Sequence, residues 1–175
     1  MKVLGIDPGI ERFGWALVEK TPAGLCYLAS GVERTSPRKP HGERLLALLR
    51  FLEGYLKEAK PELVSMERVF FEKNAKTAIA VGEIRGVVLA VSAKFGLPLV
   101  EFSPPEVKLL VSGYGKADKR SVAEMVRREL KLDRAKRLDD ETDALALALC
   151  GIFRNNYSQA TGMSPFPRGG KAEKP

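Results

Sequence analysis

Four acids stand where a purely structural role is hard to find. Asp7 ends the apolar run Val3-Leu4-Gly5-Ile6 and is followed by Pro8-Gly9. Glu67 ends a second apolar run, Leu63-Val64-Ser65-Met66. Asp140 and Asp143 are three residues apart, which puts them on one face of any helix that contains them. A carboxylate half-buried beside apolar strands is costly and either takes up a proton or seeks a cation. Taken singly, each acid has an ordinary explanation, since Asp before Pro-Gly is common turn chemistry and acids favour the first turn of a helix. Together, and without matched arginines, they describe a cation site. All-oxygen donors select hard ions, Mg²⁺ or Mn²⁺. Two such ions about 4 Å apart can hold a water and the leaving oxygen of a phosphodiester in line, which is nuclease chemistry.

Other chemistries fit less well. The single histidine, His41, precedes an amphipathic segment, and no Gly-x-Ser-x-Gly elbow is present to receive it as a base. His41 is expected to be an exposed residue at a helix start. Cys26 and Cys150 are far apart and form no Cys-x-x-Cys pair, which argues against zinc. Both are expected to be buried, reduced, small hydrophobes.

The elements that must position the acids follow from periodicity. Residues 2–7, Phe13 to Val18 and Leu25 to Val32 are predicted strands, the last two joined by the turn Thr21-Pro22-Ala23-Gly24. Leu45, Leu48, Leu49, Leu52 and Leu56 recur at helical spacing in a segment stopped by Pro61. Leu63 to Glu67 is a fourth strand, and a long helix is predicted from Lys76 to Lys94. That helix carries small residues at Ala78, Gly82, Gly86 and Ala90, one every four positions on one face. Each glycine costs on the order of 1 kcal/mol in a helix. The stripe therefore implies close approach of another backbone, either this chain's sheet or a helix of a second subunit. The adjacent stripe of Ile79, Val87 and Val91 is read as core or interface. Leu97 to Phe102 is a fifth strand, closed by Ser103-Pro104-Pro105. A short helix from Glu106 to Val111, a Gly-rich link at 112–115, a helix capped by Asp118 and a last helix from Asp139 complete the chain. Three hairpin-joined strands followed by two that alternate with helices give an α/β protein with a five-stranded mixed sheet and helices on both faces.

The chain has 175 residues, enough for one domain, with 45% apolar and 29% charged residues, a globular balance. Its formal charge of +7 points to a polyanionic partner. No run of about 18 apolar residues is present to span a bilayer, and Asp7 interrupts the place where a secretion signal would continue. A cytoplasmic location is expected. Residues 1–155 are expected to form the folded domain and 156–175 a disordered basic tail.

The ordered set Gly5-Ile6-Asp7-Pro8-Gly9, Glu67-Arg68-Val69-Phe70 with Lys73-Asn74, Arg85-Gly86, Val107-Lys108, Gly113-Tyr114-Gly115 with Lys119, and Asp140 through Asp143-Ala144-Leu145-Ala146 resembles the RuvC family of Holliday-junction resolvases. The resemblance covers nearly all of residues 1–155. It implies a ribonuclease-H-like fold and a homodimer that resolves four-way DNA junctions by paired symmetric nicks, leaving 5′-phosphate and 3′-hydroxyl ends. It implies that Asp7, Glu67, Asp140 and Asp143 bind Mg²⁺ or Mn²⁺, two ions to a site, and that a branch-migration motor complex is a partner. It further implies that Lys108 and Lys119 orient or neutralise the scissile phosphate and that Phe70 stacks on a base, an interaction worth about 1–3 kcal/mol. Phe71, Arg68, Lys73, Asn74, Lys76 and Lys116 are the further candidate DNA contacts. Phe70 and Phe71 would point to opposite sides in extended chain, so one of them can equally be core. Arg68 stands where a neutral polar residue is expected, as an extra DNA contact or an acid's partner. Asp139 and Glu141 crowd Asp140, and Asp139 shares a face with Asp143, which leaves the third ligand open between Asp139 and Asp140. Three other readings are a two-domain phosphotransferase of the actin or hexokinase kind, for which 175 residues leave no room, a non-catalytic junction-binding module, and a nuclease acting on structured RNA.

Overall fold

A computed structural model describes residues 1–68, 75–133 and 137–161, with backbone alone for 75–78 and 157–161. Its elements are β1 (Lys2–Asp7), β2 (Arg12–Thr21), β3 (Gly24–Arg34), α1 (His41–Ala59), β4 (Leu63–Glu67), α2 (Ala75–Lys94), β5 (Leu99–Phe102), α3 (Pro104–Ser112), α4 (Lys119–Glu129) and α5 (Asp139–Thr161). The strands form one mixed sheet in the order β3-β2-β1-β4-β5. β1, β2 and β3 pair antiparallel through the hairpins, and β4 and β5 add in parallel after the crossover helices α1 and α2.

Period-two alternation divides the central strands between two cores. Leu4 and Ile6 of β1, Phe13 and Leu17 of β2, and Val64 and Met66 of β4 pack on α1 and α2 through Leu48, Leu52, Leu56, Ile84 and Val88. Val3, Ala16 and Leu63 point the other way, onto α3, α4 and α5. α5 is the middle of that second layer. Its run Ala144 to Cys150 is buried on every side, and so the Leu-Ala alternation lies in a fully enclosed helix rather than a strand. Two glycines let it lie directly on the sheet. A Cβ on Gly5 would sit 2.0 Å from the Ala144 carbonyl oxygen, and one on Gly14 would sit 2.2 Å from that of Asp140. The Ser65 hydroxyl donates to the Leu147 carbonyl at 2.6 Å and fixes the helix against β4.

Several expectations are amended. β5 ends at Phe102, as expected, and Pro104 and Pro105 also open α3 two residues before the expected start, with a Ser103–Glu106 capping box that satisfies the first free N–H groups. The core face of α2 is Ile84, Val88 and Val91, whereas Ile79 is 63% exposed. Docking on α1 selected a face that spacing alone does not identify. Among the described residues, no atom outside their own stretch of helix lies within 4 Å of a would-be Cβ on Gly82 or Gly86, so the sheet of the same chain is not what their smallness accommodates. Cys150 is buried as expected, but Cys26 is exposed, because it lies on β3 at the sheet's outer edge. Helix α5 continues to Thr161, and residues 162–175 lie outside the described residues. No helix among the described residues is long and apolar enough to cross a membrane.

Candidate active site

Strand parity decides which acids meet. In β1 the side that carries Val3 and Gly5 also carries Asp7. In β4 the side that carries Leu63 and Ser65 also carries Glu67. The two strands are parallel neighbours with Ile6 opposite Met66, so Asp7 and Glu67 leave the sheet side by side, one position further on. Both face the layer that holds α5, whose first turn contains Asp139, Asp140 and Glu141. Asp143 follows one turn later.

The result is a cleft of about 250 Å³ lined by Asp7, Glu67 and Asp143, with Lys108 from α3, Lys119 from α4, and an apolar floor that includes Val107 and Leu147. The Lys119 ammonium lies 2.9 Å from Asp143 and 3.5 Å from Asp139. Its place is set by Asp118, which caps α4 by accepting from the Ser121 N–H at 2.7 Å and so makes Lys119 the first helical residue. Larger surface grooves, about 630 and 680 Å³, flank α4. They are mixed in charge, with Arg127 and Arg128 both paired to Glu124, and gather no set of like charges.

Electrostatics single out the cleft. Burial pushes the Asp7 carboxyl up to about 7, helped by the negative charges of Asp143, Glu67 and Asp140 and opposed by Lys119. Glu67 is raised by burial and by Asp143, again against Lys119. Burial raises Asp143 as well, although Lys119 bonds to it. For Lys119, burial works downward, but the bond to Asp143 and the charges of Asp143 and Asp139 outweigh it, and its pKa rises. Burial leads all three carboxyl shifts, and neighbouring carboxylates add to it against Lys119. Such a concentration of perturbed groups marks a functional site.

The expectation that the acids lack arginine partners is corrected. Arg12, at the start of β2, pairs with Asp140. Asp140 does not line the cleft, though its charge reaches both Asp7 and Asp143. Asp139 is 80% exposed and lies 3.5 Å from the Lys119 ammonium; its charge reaches Asp143, whereas that of Asp140 reaches both Asp7 and Asp143. Among the described residues, no three His, Cys, Asp or Glu side chains stand close enough together to hold an ion as they are. Arg12 holds Asp140, and Lys119 holds Asp143.

The sequence reading overlooked Arg12. The signal available was its parity: Asp7 lies opposite Gly14 in the β1–β2 ladder, so Arg12 leaves β2 on the same side as Gly14, towards α5. Lys116 is exposed and lines one of the grooves that flank α4, not the cleft. Arg68 is exposed just past β4, its guanidinium donating to the Glu101 carbonyl at 3.3 Å. Phe70, Phe71, Lys73 and Asn74 lie outside the described residues, and only backbone is described for Lys76 and Ala78. His41 starts α1, exposed as expected, and pairs with Glu83 of α2 at 2.5 Å.

With this geometry in hand, comparison with known proteins is decisive for the family. The family model for the crossover junction endodeoxyribonuclease RuvC matches residues 3–151. The chain belongs to the RuvC family. The RuvC of Desulfitobacterium hafniense (strain DCB-2) is 45% identical over 162 residues, covering 93% of this chain and 98% of its own length. The solved Thermus thermophilus RuvC structure is 36% identical with a TM-score of 0.83, over 90% of this chain and 97% of that one. A second T. thermophilus RuvC structure, in complex with a Holliday junction substrate, is 33% identical with a TM-score of 0.82, over 93% and 98%. The RuvC match thus runs from β1 into α5 and includes all four acids.

Proposed function

We propose that this chain is a structure-specific DNA endonuclease that resolves four-way junctions by paired symmetric nicks. The observation that carries the reading is the convergence of Asp7, Glu67 and Asp143 with Lys108 and Lys119 in one cleft, in a member of the RuvC family. The donor set is all carboxylate, which fits a hard divalent ion, Mg²⁺ or Mn²⁺. Asp7, Glu67, Asp140 and Asp143 would hold two such ions, which when bound supply charge neutralisation and a water activated for attack on phosphorus. Lys119 lies beside Asp143, where an ammonium neutralises charge developing on a phosphate oxygen. Lys108, which also lines the cleft, steers the phosphate, and the apolar lining limits stray water. Exposed Arg68 and Lys116 add positive charge that the DNA backbone can use. Phe70, Phe71, Lys73, Asn74 and Lys76 complete the DNA contacts near the branch point.

One cleft per chain nicks one strand, so two nicks need two chains. The exposed small face of α2, Gly82, Gly86 and Ala90, with Ala78, is the proposed contact between subunits. The open space beyond Gly82 and Gly86 supports it. A branch-migration motor complex is the further partner proposed from the family.

A cleavage assay that compares a synthetic four-way junction, linear duplex and structured RNA, each with Mg²⁺ and with Mn²⁺, tests the reading. Symmetric nicks in the junction alone are expected, abolished in Asp7→Asn with junction binding retained. Cutting of RNA or linear duplex with the junction left intact would overturn it.

A further inference from the structure

We propose that Arg12 is a positioning residue that holds Asp140 away from the carboxylate cleft and competes with a divalent cation for it, so that loading the site exchanges a guanidinium for an ion. The inference rests on reading the cleft as a cation seat. It adds which of the chain's own residues sets how tightly the seat binds.

Placement comes first. Arg12 and Gly14 leave β2 on the α5 side, and the missing Cβ of Gly14 lets the Asp140 backbone come within contact of that strand. Asp140 is thereby pinned over the end of β2, where Arg12 reaches it. Of the four acids, the three that line the cleft are the ones without an arginine; the one held by arginine is displaced from it.

The form of the pair is the second observation. Arg85 and Glu101 show what a structural lock looks like here: two parallel bonds, Nε to Oε1 at 2.6 Å and Nη2 to Oε2 at 2.8 Å. Such a fork adds both energy and geometric specificity. Arg12 makes no fork. Its Nη2 meets Asp140 Oδ2 as a charge contact only, and neither that enclosed oxygen nor the enclosed Nε of Arg12 has a hydrogen-bond partner among the described residues. An enclosed N–H without an acceptor carries a standing desolvation cost. A one-point contact with that cost is readily given up to a stronger counter-charge, and Arg12, 40% exposed, has solvent to swing into.

Competition has a thermodynamic signature. Removing the competitor frees Asp140 and tightens cation binding, whereas removing a scaffold residue loosens it. Mn²⁺ titration of the full chain without DNA, followed by the paramagnetic resonance signal of the free ion, reads this directly. Arg12→Gln is expected to bind Mn²⁺ about fivefold more tightly than the unaltered chain, at the upper end for a partly exposed ion pair. The gain is expected to vanish when Asp140→Asn is already present. Arg12→Lys, which keeps the charge but shortens the reach, shows a smaller gain and serves if Arg12→Gln does not fold. Unchanged or weaker binding in Arg12→Gln overturns the proposal, as does a gain that persists without Asp140, which would make Arg12 a diffuse charge only. Failure of every chain to take up Mn²⁺ overturns the cation-seat reading together with this one; uptake by the unaltered chain with no gain in Arg12→Gln overturns this one alone.

Discussion

Asp7 is where burial and charge press hardest on a single group. Its carboxyl is raised from 3.8 to about 7, so the fold favours the protonated acid. The sign follows from linkage: this contribution to stability is complete below about 4 and is lost as pH rises through about 7. Metal-free protein should therefore be less stable at pH 8 than Asp7→Asn, with the two converging near pH 4. The difference is expected to be on the order of 1–2 kcal/mol, discounted because water still screens part of the charge. That corresponds to about 2–4 °C in midpoint for each kcal/mol in a chain of this size. Thermal melts of both proteins in chelator across that pH range check it; parallel curves would show that Asp7 does not carry the strain. At this scale Asp7 and Glu67 were legible in the sequence because each ends an apolar run of strand length. Arg12 was not, because its partner is fixed by the register of β1 on β2 and by how closely α5 approaches, and neither is a local property.

At the scale of elements, α5 brings two of the four acids, and its height over the sheet decides where they stand. Gly14 sets that height at Asp140, and Gly5 at Ala144. Gly14→Ala should cost about 1–3 kcal/mol through overpacking and should reduce cleavage further than the stability loss explains, by lifting Asp140. Gly54→Ala, on the exposed side of α1 with nothing within 4 Å of the new methyl, should be neutral or stabilising by up to about 1 kcal/mol. Chemical denaturation of both variants separates the cases; equal effects would mean that the contact under α5 is not tight. The order and type of the ten elements were legible, most of them from periodicity and from caps such as Asp118, but α5 from the helix propensity of Leu and Ala and the acids before them, since its Leu-Ala alternation has period two. Faces were harder. α2 buries Ile84, Val88 and Val91, and of the stripe Ile79, Val87 and Val91 only Ile79 is left exposed, because its apolar and small residues are spread around the helix and docking on α1 made the choice.

For the molecule as a whole, the two-layered core places the cleft at one end of β1 and β4, with α3, α4 and α5 on one face and the small stripe of α2 exposed on the other. The proposed subunit contact therefore lies on the face of the sheet opposite the cleft, and two chains joined there would leave both clefts open. Gly82→Leu should shift the chain from dimer to monomer in light scattering while leaving Mn²⁺ uptake intact; an unchanged dimer removes that face from the interface. The family resemblance was legible because its motifs fall on elements that converge. The ion pairs that hold two of the acids were not, since they depend on tertiary contact. The most direct measurement of the central claim is anomalous diffraction from crystals grown with Mn²⁺. Peaks at ligand distance from Asp7, Glu67 and Asp143 are expected, with Asp140 turned in from Arg12. Manganese bound only at other surface acids, with the cleft carboxylates apart, would contradict it.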